Sequence, residues 1–364
     1  MPEGDARAIA ATETASRFGR GLLRDCWYFA AVGRELGPGQ LRRYELLGEP
    51  VMIGRTRGGE VFALRDVCPH RAAPLSAGRL VDGDHVECPY HGWRYRTDGA
   101  CAAIPSLVDG QDVDVGRIRV RRYPAVESQG LIFVWMAADA RADAEPDHAP
   151  PVFPGVVGGG PKLIDRMIFD AHIDHAVVGL MDPTHGPYVH QNWWWRSPAS
   201  QHAKAKAFEP REAGFAMTRH APSSNSYAYR ILGGAPATEI VFRLPGLRWE
   251  HIEVGKRQVL ALTCLTPLSE TRTRITQIMW SDHAAFTLAK PFIASGARKF
   301  LRQDGAMVDL QKQGLAYDPT LLWIDDADTQ AKWYQALKRE WAASRAQGRP
   351  FENPVKPTVL RWRS

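Results

Sequence analysis

The chain has 364 residues, 45% hydrophobic, 24% charged and 10% aromatic, with a formal net charge of +6. That composition excludes wholesale disorder and collagen-like or coiled-coil architecture, and single cores rarely grow past about 250–300 residues, so two or more units are expected. The 46 basic residues are interspersed with 40 acidic ones and form no basic arm; no nucleic-acid partner is expected, while mild basicity suits an acidic docking partner.

In chain order, the first 150 or so residues read as short strands broken by Gly, Pro and Asp turns. Apolar, β-branched or aromatic runs at 27–32, 50–54, 61–64, 118–120 and 131–135 suggest a small all-β module. Residues 142–160, ADAEPDHAPPVFPGVVGGG, form a linker too broken for regular structure. Beyond it, 174–182 (DHAVVGLMD) has helical spacing, with Ala176, Val177, Leu180 and Met181 on one side, and Pro183 ends or bends it. Strand signals return at 215–218, 227–231, 240–244, 249–254, 259–266 and 273–280, and helical patterns at 289–313 and 325–345 close the chain. Helix, antiparallel sheet, helix is the order of an α+β domain.

No segment reads as a membrane span, because the most apolar run, 130–138, falls far short of the roughly 20 residues a bilayer requires. The opening MPEGDARAIAATETASRFGRG lacks the apolar centre of a secretory signal, so a cytoplasmic location is expected. Cys26, Cys68, Cys88, Cys101 and Cys264 are too sparse for the disulfide frame of a small secreted domain. In a reducing compartment, two cysteines with nearby histidines suggest a metal.

The strongest signal is Cys68-Pro-His70, seventeen residues, then Cys88-Pro-Tyr-His91-Gly-Trp93. Two thiolates and two imidazoles can hold zinc, or a [2Fe–2S] cluster with both histidines on one iron. A structural zinc site more usually pairs Cys with Cys and His with His, whereas each loop here mixes the two. CPHR…CPYHGW resembles the cluster signature of Rieske proteins, in particular the oxygenase component of Rieske non-heme iron oxygenases. The resemblance implies that Cys68 and Cys88 hold one iron and His70 and His91 the other. Arg71 and Trp93 either screen that cluster or are ordinary surface charge and core.

A second constellation is Asp182-Pro-Thr-His185-Gly-Pro-Tyr-Val-His190. Two His and a carboxylate on one face of an iron leave positions open for O2 and substrate, although H-x4-H alone is more often structural. Its D-x2-H-x4-H pattern resembles the family's iron site, which makes His185 and His190 ligands. The stretch 300–311 (FLRQDGAMVDLQ) resembles the family's late helix and offers Asp304 as third ligand, with Asp309 the alternative. By the same resemblance Asp182 is catalytic without binding metal. It would bridge His185 to His91 of the partner subunit in a head-to-tail homotrimer. Gly179 stands where many relatives carry Asn, which would enlarge the cavity beside the iron.

Substrate-pocket candidates are Gly179, Trp193 from the run 192–196, and Trp249 and His251. On strand 249–254, Trp249, His251 and Glu253 alternate onto one face; the Ile252 face is the expected core, and the other lines a cavity or faces solvent. His172 and His175 read as capping or surface residues.

The chain lacks a G-x-G-x-x-G after a strand and a C-x4-C-x2-C cluster, so NAD(P)H is expected to act only through a separate ferredoxin or flavin reductase. Altogether the resemblance implies an α+β protein with an all-β Rieske domain at 40–127. A helix-grip domain for mononuclear Fe(II), with a mostly antiparallel sheet, would comprise 1–39 and 128–364. The implied function is that of a terminal oxygenase, using O2 to hydroxylate or O/N-demethylate an aromatic or other apolar small molecule, as in the vanillate and dicamba O-demethylase branch. Ring cis-dihydroxylation is the alternative. A pure Rieske electron carrier would leave the second His/His/Asp set unexplained.

Overall fold

The computed structural model describes residues 18–139, 144–156, 158, 160–190, 198–223, 232 and 234–364, apart from the side chains of 284, 285, 287 and 288. The chain divides into two compact units, Arg24–Val152 and a second that unites the chain up to Leu23 with Phe153–Ser364.

The first unit is built of short strands: β1 Cys26–Val32, β2 Leu41–Leu46, β3 Glu49–Arg55, β4 Val61–Arg65, β5 Arg79–Val81, β6 His85–Glu87, β7 Arg94–Tyr95, β8 Cys101–Ala103, β9 Arg122–Tyr123, β10 Ala125–Ser128 and β11 Leu131–Met136. They pair as β1-β11-β10, β2-β3-β4-β9 and β5-β6-β7-β8. CWYFAAV and LIFVWM are buried along their whole length, so β1 and β11 read as continuous apolar runs rather than alternating ones. Trp27 lies opposite Trp135 in their ladder. That pairing takes 24–39 and 128–152 into the same unit as the expected 40–127. The expected strand at 118–120 is reduced to a single bridge, Ala100 to Arg119, and the ladder runs instead through Arg122–Tyr123.

The second unit carries one eight-stranded sheet, from β12 Leu163–Phe169 through β13 Ala203–Arg211, β14 Gly214–His220, β15 Ala237–Arg243, β16 Leu247–Val254, β17 Arg257–Ser269, β18 Arg272–Ser281 and β19 Thr358–Arg363. The order is β12-β18-β17-β16-β15-β14-β13-β19, antiparallel throughout. Among the described residues its helices are α1 Ile173–Met181, α2 Gly186–Val189, α3 Ala284–Leu315 and α4 Thr329–Gln347. The region 227–231, expected as a strand, lies outside the described residues.

Part of one sheet face is core: Phe208, Phe215 and Phe242 pack edge-on against Trp333 and Tyr334 of α4. Helix α1 is fixed by its first turn, where His172 caps the N-terminus and buried Asp174 accepts from Lys338 Nζ and Tyr334 Oη, both at 2.6 Å. Pairing and hydrogen bonding make this buried carboxylate tolerable. The helix ends at Asp182, before Pro183, and so delivers the second constellation from a rigid base. Among the described residues, no helix is long and apolar enough to cross a membrane.

Candidate metal centres

Two loops of the first unit are near copies of each other. Cys68 N–H bonds Ala73 O at 2.9 Å and Ala72 N–H returns to Cys68 O at 2.8 Å; Cys88 N–H bonds Trp93 O at 2.8 Å and Gly92 N–H returns to Cys88 O at 3.1 Å. Ala72 and Gly92 hold the same place in each turn, with φ of 57° and 71°, a region glycine enters freely and alanine only at a cost. The result is that Cys68 and Cys88 are each 2% exposed, while His70 and His91 face outward with ring centroids 4.5 Å apart. Trp93 stacks flat on His70 at 4.6 Å, and Tyr95 Oη lies 3.3 Å from Cys68 Sγ.

The donor set fits a two-iron cluster better than zinc. A tetrahedral zinc gathers its donors to within about 4 Å of one another. Among the described residues, the one group of three or more His, Cys, Asp or Glu side chains whose ligand atoms meet within 4.8 Å is His185, His190 and Asp304. Cys68, Cys88, His70 and His91 form instead a buried thiol pair beside an exposed imidazole pair, the chemistry of a cluster with mixed ligands. Desolvation, then the charges of His91 and Arg71, hold the His70 imidazole below its ordinary pKa, in the neutral form that ligates. Burial, reinforced by Cys68, pushes the Cys88 thiol up, so a thiolate there requires a bound cation.

The second constellation forms around α2. Its single turn, with Tyr188 N–H and Val189 N–H on His185 O at 2.9 Å each, brings the flanking His185 and His190 together. Their Nε2 atoms lie 3.1 Å apart, and Asp304 Oδ1, from α3, lies 3.0 Å from His190 Nε2 and 3.6 Å from His185 Nε2. Facial ligands on an ion with bonds of roughly 2.1 Å are about 3 Å apart, so these spacings suit one divalent metal. Asp309 is exposed on α3 and takes no part in the group.

The surroundings orient these rings. His190 Nδ1 lies 3.1 Å from Gln303 Oε1, and Phe300 tilts over the same ring at 4.7 Å. Phe300 shares the Asp304 helix face at i−4, a signal the sequence carried; Gln303 offered nothing beyond adjacency. Asp182 Oδ1 accepts from Thr184 N–H at 2.7 Å and Thr184 Oγ–H at 2.6 Å, and its Oδ2 lies 3.6 Å from His185 Nδ1. Among the described residues that buried Nδ1 has no hydrogen-bond partner. Burial opposes a charge on His185, but Asp182 and then Asp304 outweigh it and raise its pKa.

A cavity of about 830 Å3 adjoins the group, lined by His185 and His190, by Met217, Ile240 and Met279, and by Lys204, Lys206 and Arg248. Gly179 lines a second cavity of about 220 Å3 with Asp182, His185 and Asp304, and a Cβ at Gly179 would meet nothing within 4 Å. Trp249 and His251, expected in the pocket, line neither cavity. Trp249 packs on Phe153 with centroids 5.3 Å apart, and His251 Nε2 lies 3.0 Å from Gln258 Oε1. Both faces of β16 are covered, so apolarity did not distinguish them, and the face with Ile252 supplies Arg248 and Glu250 to the larger cavity. Trp193 lies outside the described residues.

Residues 26–124 match the Rieske [2Fe-2S] domain, and 169–343 match the vanillate O-demethylase oxygenase C-terminal domain. With both domains and both donor groups present, the chain belongs to the Rieske non-heme iron oxygenases. It is 39% identical over 174 residues to the dicamba O-demethylase oxygenase component of Stenotrophomonas maltophilia, covering 47% of this chain and 48% of that protein. The toluene-4-sulfonate monooxygenase system iron-sulfur subunit TsaM1 of Comamonas testosteroni is 36% identical over 169 residues, 46% of this chain and 47% of that one. The chlorophyllide a oxygenase of Chlamydomonas reinhardtii is 33% identical over 201 residues, 52% of this chain and 29% of that one. The matched segments thus span less than half the length of each of these relatives. The fold is also that of dicamba monooxygenase bound to dicamba, with a TM-score of 0.68 at 24% identity over 88% of this chain and 98% of that one.

Proposed function

We propose that this protein is the terminal oxygenase of a multicomponent Rieske system, monooxygenating an aromatic or other apolar small molecule by hydroxylation or O/N-demethylation. The observation that carries this reading is the meeting of His185, His190 and Asp304 within 4.8 Å beside a cavity of about 830 Å3. In this reading Cys68, Cys88, His70 and His91 hold the [2Fe–2S] cluster, and His185, His190 and Asp304 hold Fe(II). Iron held by three such ligands supplies open positions for O2. The protein's own contribution is to fix the rings through Gln303, to cover His190 with Phe300, and to hold the substrate in the cavity.

Electrons come from a separate ferredoxin or flavin reductase, which reads NAD(P)H on the protein's behalf in the cytoplasm. Support comes from two relatives whose names make them parts of larger systems, an oxygenase component and an iron-sulfur subunit. Asp182 then joins His185 to His91 of the partner subunit in a homotrimer, a ring that a heterologous interface closes by rotation.

The test is oxygen uptake by the reconstituted protein with a surrogate reductase and a panel of methoxylated and methylated aromatics. Substrate-dependent uptake with one oxygen atom in the product is expected. A cis-diol product would make it a dioxygenase, and a reducible cluster with no substrate-dependent uptake would contradict the reading.

A further inference from the structure

We infer that the larger cavity selects a small organic anion, whose carboxylate or sulfonate is held by Arg248 with Lys206 and Lys204 while its apolar body rests on Met217, Ile240 and Met279. The inference rests on the oxygenase reading only in taking this cavity as the substrate site.

The sheet register places these groups. Met217 pairs with Ile240, Ile240 with Glu250, Glu250 with Ala261, and Ala261 with Met279, so one row crosses five strands on a single face. Arg248 lies two residues from Glu250 and shares its face. At the far side of the sheet, Phe208 pairs with Met217, and Lys206 and Lys204 follow at two-residue steps along β13 onto that same face. Two lysines that alternate with alanines would ordinarily mark a solvated strand face. Here both line the cavity, and Lys204 is only 8% exposed.

Four cationic side chains, Lys204, Lys206, Arg248 and Lys299, line the cavity with the two side-chain carboxylates Asp182 and Glu250, and Lys204 donates to Ser364 Oγ at 3.0 Å. Asp182 already accepts twice from Thr184, and Glu250 accepts from Thr238 Oγ–H at 2.9 Å. Lys206 donates to Ala221 O at 3.2 Å, and burial lowers its pKa, the mark of an ammonium short of compensating charge. Arg248 has neither hydrogen bond nor ion pair through its side chain among the described residues. A guanidinium presents a rigid fork that matches an oxyanion at two points, and one left unpaired in a cavity is costly unless a ligand completes it. A volume of about 830 Å3 accommodates such a molecule.

The experiment is anaerobic titration calorimetry of the metal-loaded full chain with benzoate, benzenesulfonate and the neutral benzamide. At least one anion is expected to bind about tenfold or more tightly than benzamide, a difference of one charge-assisted contact. Benzoate preferred over benzenesulfonate would identify a carboxylate as the natural group, and the reverse a sulfonate. Arg248→Gln should abolish the preference while leaving benzamide affinity in place, Lys206→Gln should reduce it, and Arg248→Lys should restore part of it. Equal affinity for benzamide, no binding of either anion, or an unaltered preference in both Arg248→Gln and Lys206→Gln overturns the inference. Because binding is read without turnover, an Arg248-dependent anion preference in a protein that takes up no iron at His185 would overturn the oxygenase reading alone.

Discussion

Gln303 Oε1 lies 3.1 Å from His190 Nδ1, and Asp304 Oδ1 lies 3.0 Å from Nε2 of the same ring. Consecutive residues of α3 thus address opposite edges of one imidazole. With Nδ1–H donating to the amide oxygen, Nε2 keeps its lone pair turned toward His185 and Asp304. Gln303→Leu removes that acceptor and frees the ring to rotate. Iron affinity at the mononuclear site is expected to fall about 10–100-fold with the cluster's visible absorbance intact. An unchanged iron titration would show that Gln303 orients nothing.

The carboxylate assignment is separable by two variants on one helix. Asp304→Ala is expected to lose mononuclear iron and all turnover while keeping the cluster, whereas the exposed Asp309→Ala is expected to retain both. Metal analysis of the two proteins decides it, and iron lost from Asp309→Ala alone would contradict the geometry.

Much of this site was legible because metal chemistry restricts residue type and spacing. The CPHR and CPYHGW loops, the D-x2-H-x4-H turn and a carboxylate on a late helix need few neighbours to be recognised. The unread parts depend on pairings far along the chain. AKAKAF in β13 looks like a solvated strand until β19, about 150 residues later, pairs with it. Trp249 and His251 alternate onto a mixed aromatic and polar face, the pattern of a pocket lining, yet β16 is covered on both faces and its alternate residues Arg248 and Glu250 line the cavity. The strand expected at 118–120 was an apolar run that bridges Ala100 without becoming a ladder.

Asp182 Oδ1 is engaged by Thr184, which leaves Oδ2, 3.6 Å from His185 Nδ1, as the oxygen aimed at that ring. Asp182→Asn keeps the size but turns one oxygen into a donor facing another donor. Cluster and iron should both remain, while single-turnover electron transfer from the reduced cluster slows on the order of 10–100-fold, the usual scale for disturbed outer ligand contacts. An Asn variant that transfers electrons at the wild-type rate would remove Asp182 from the electron path.

Acid should loosen the first unit through Glu49. Burial alone would raise its pKa, but the hydroxyl of Tyr123 and the guanidinium groups of Arg24 and Arg121 outweigh burial and hold it below 4.5. A depressed carboxyl contributes stability that is present above the unfolded pKa and is lost as pH falls through the folded one. Bleaching of the cluster in urea should therefore need less denaturant as pH drops below about 4.5. Glu49→Gln should cost about 1–3 kcal/mol at pH 7 and flatten that acid dependence. An equally steep acid limb in Glu49→Gln would assign it to other carboxylates.

In the proposed oxygenase, one chain carries a two-iron cluster on Cys68, Cys88, His70 and His91 and a third iron on His185, His190 and Asp304. Iron and acid-labile sulfide measured together on purified protein test it most directly. About three irons and two sulfides per chain are expected, falling to about two irons and two sulfides in His185→Ala. Zinc in place of iron, or iron without labile sulfide, would contradict it.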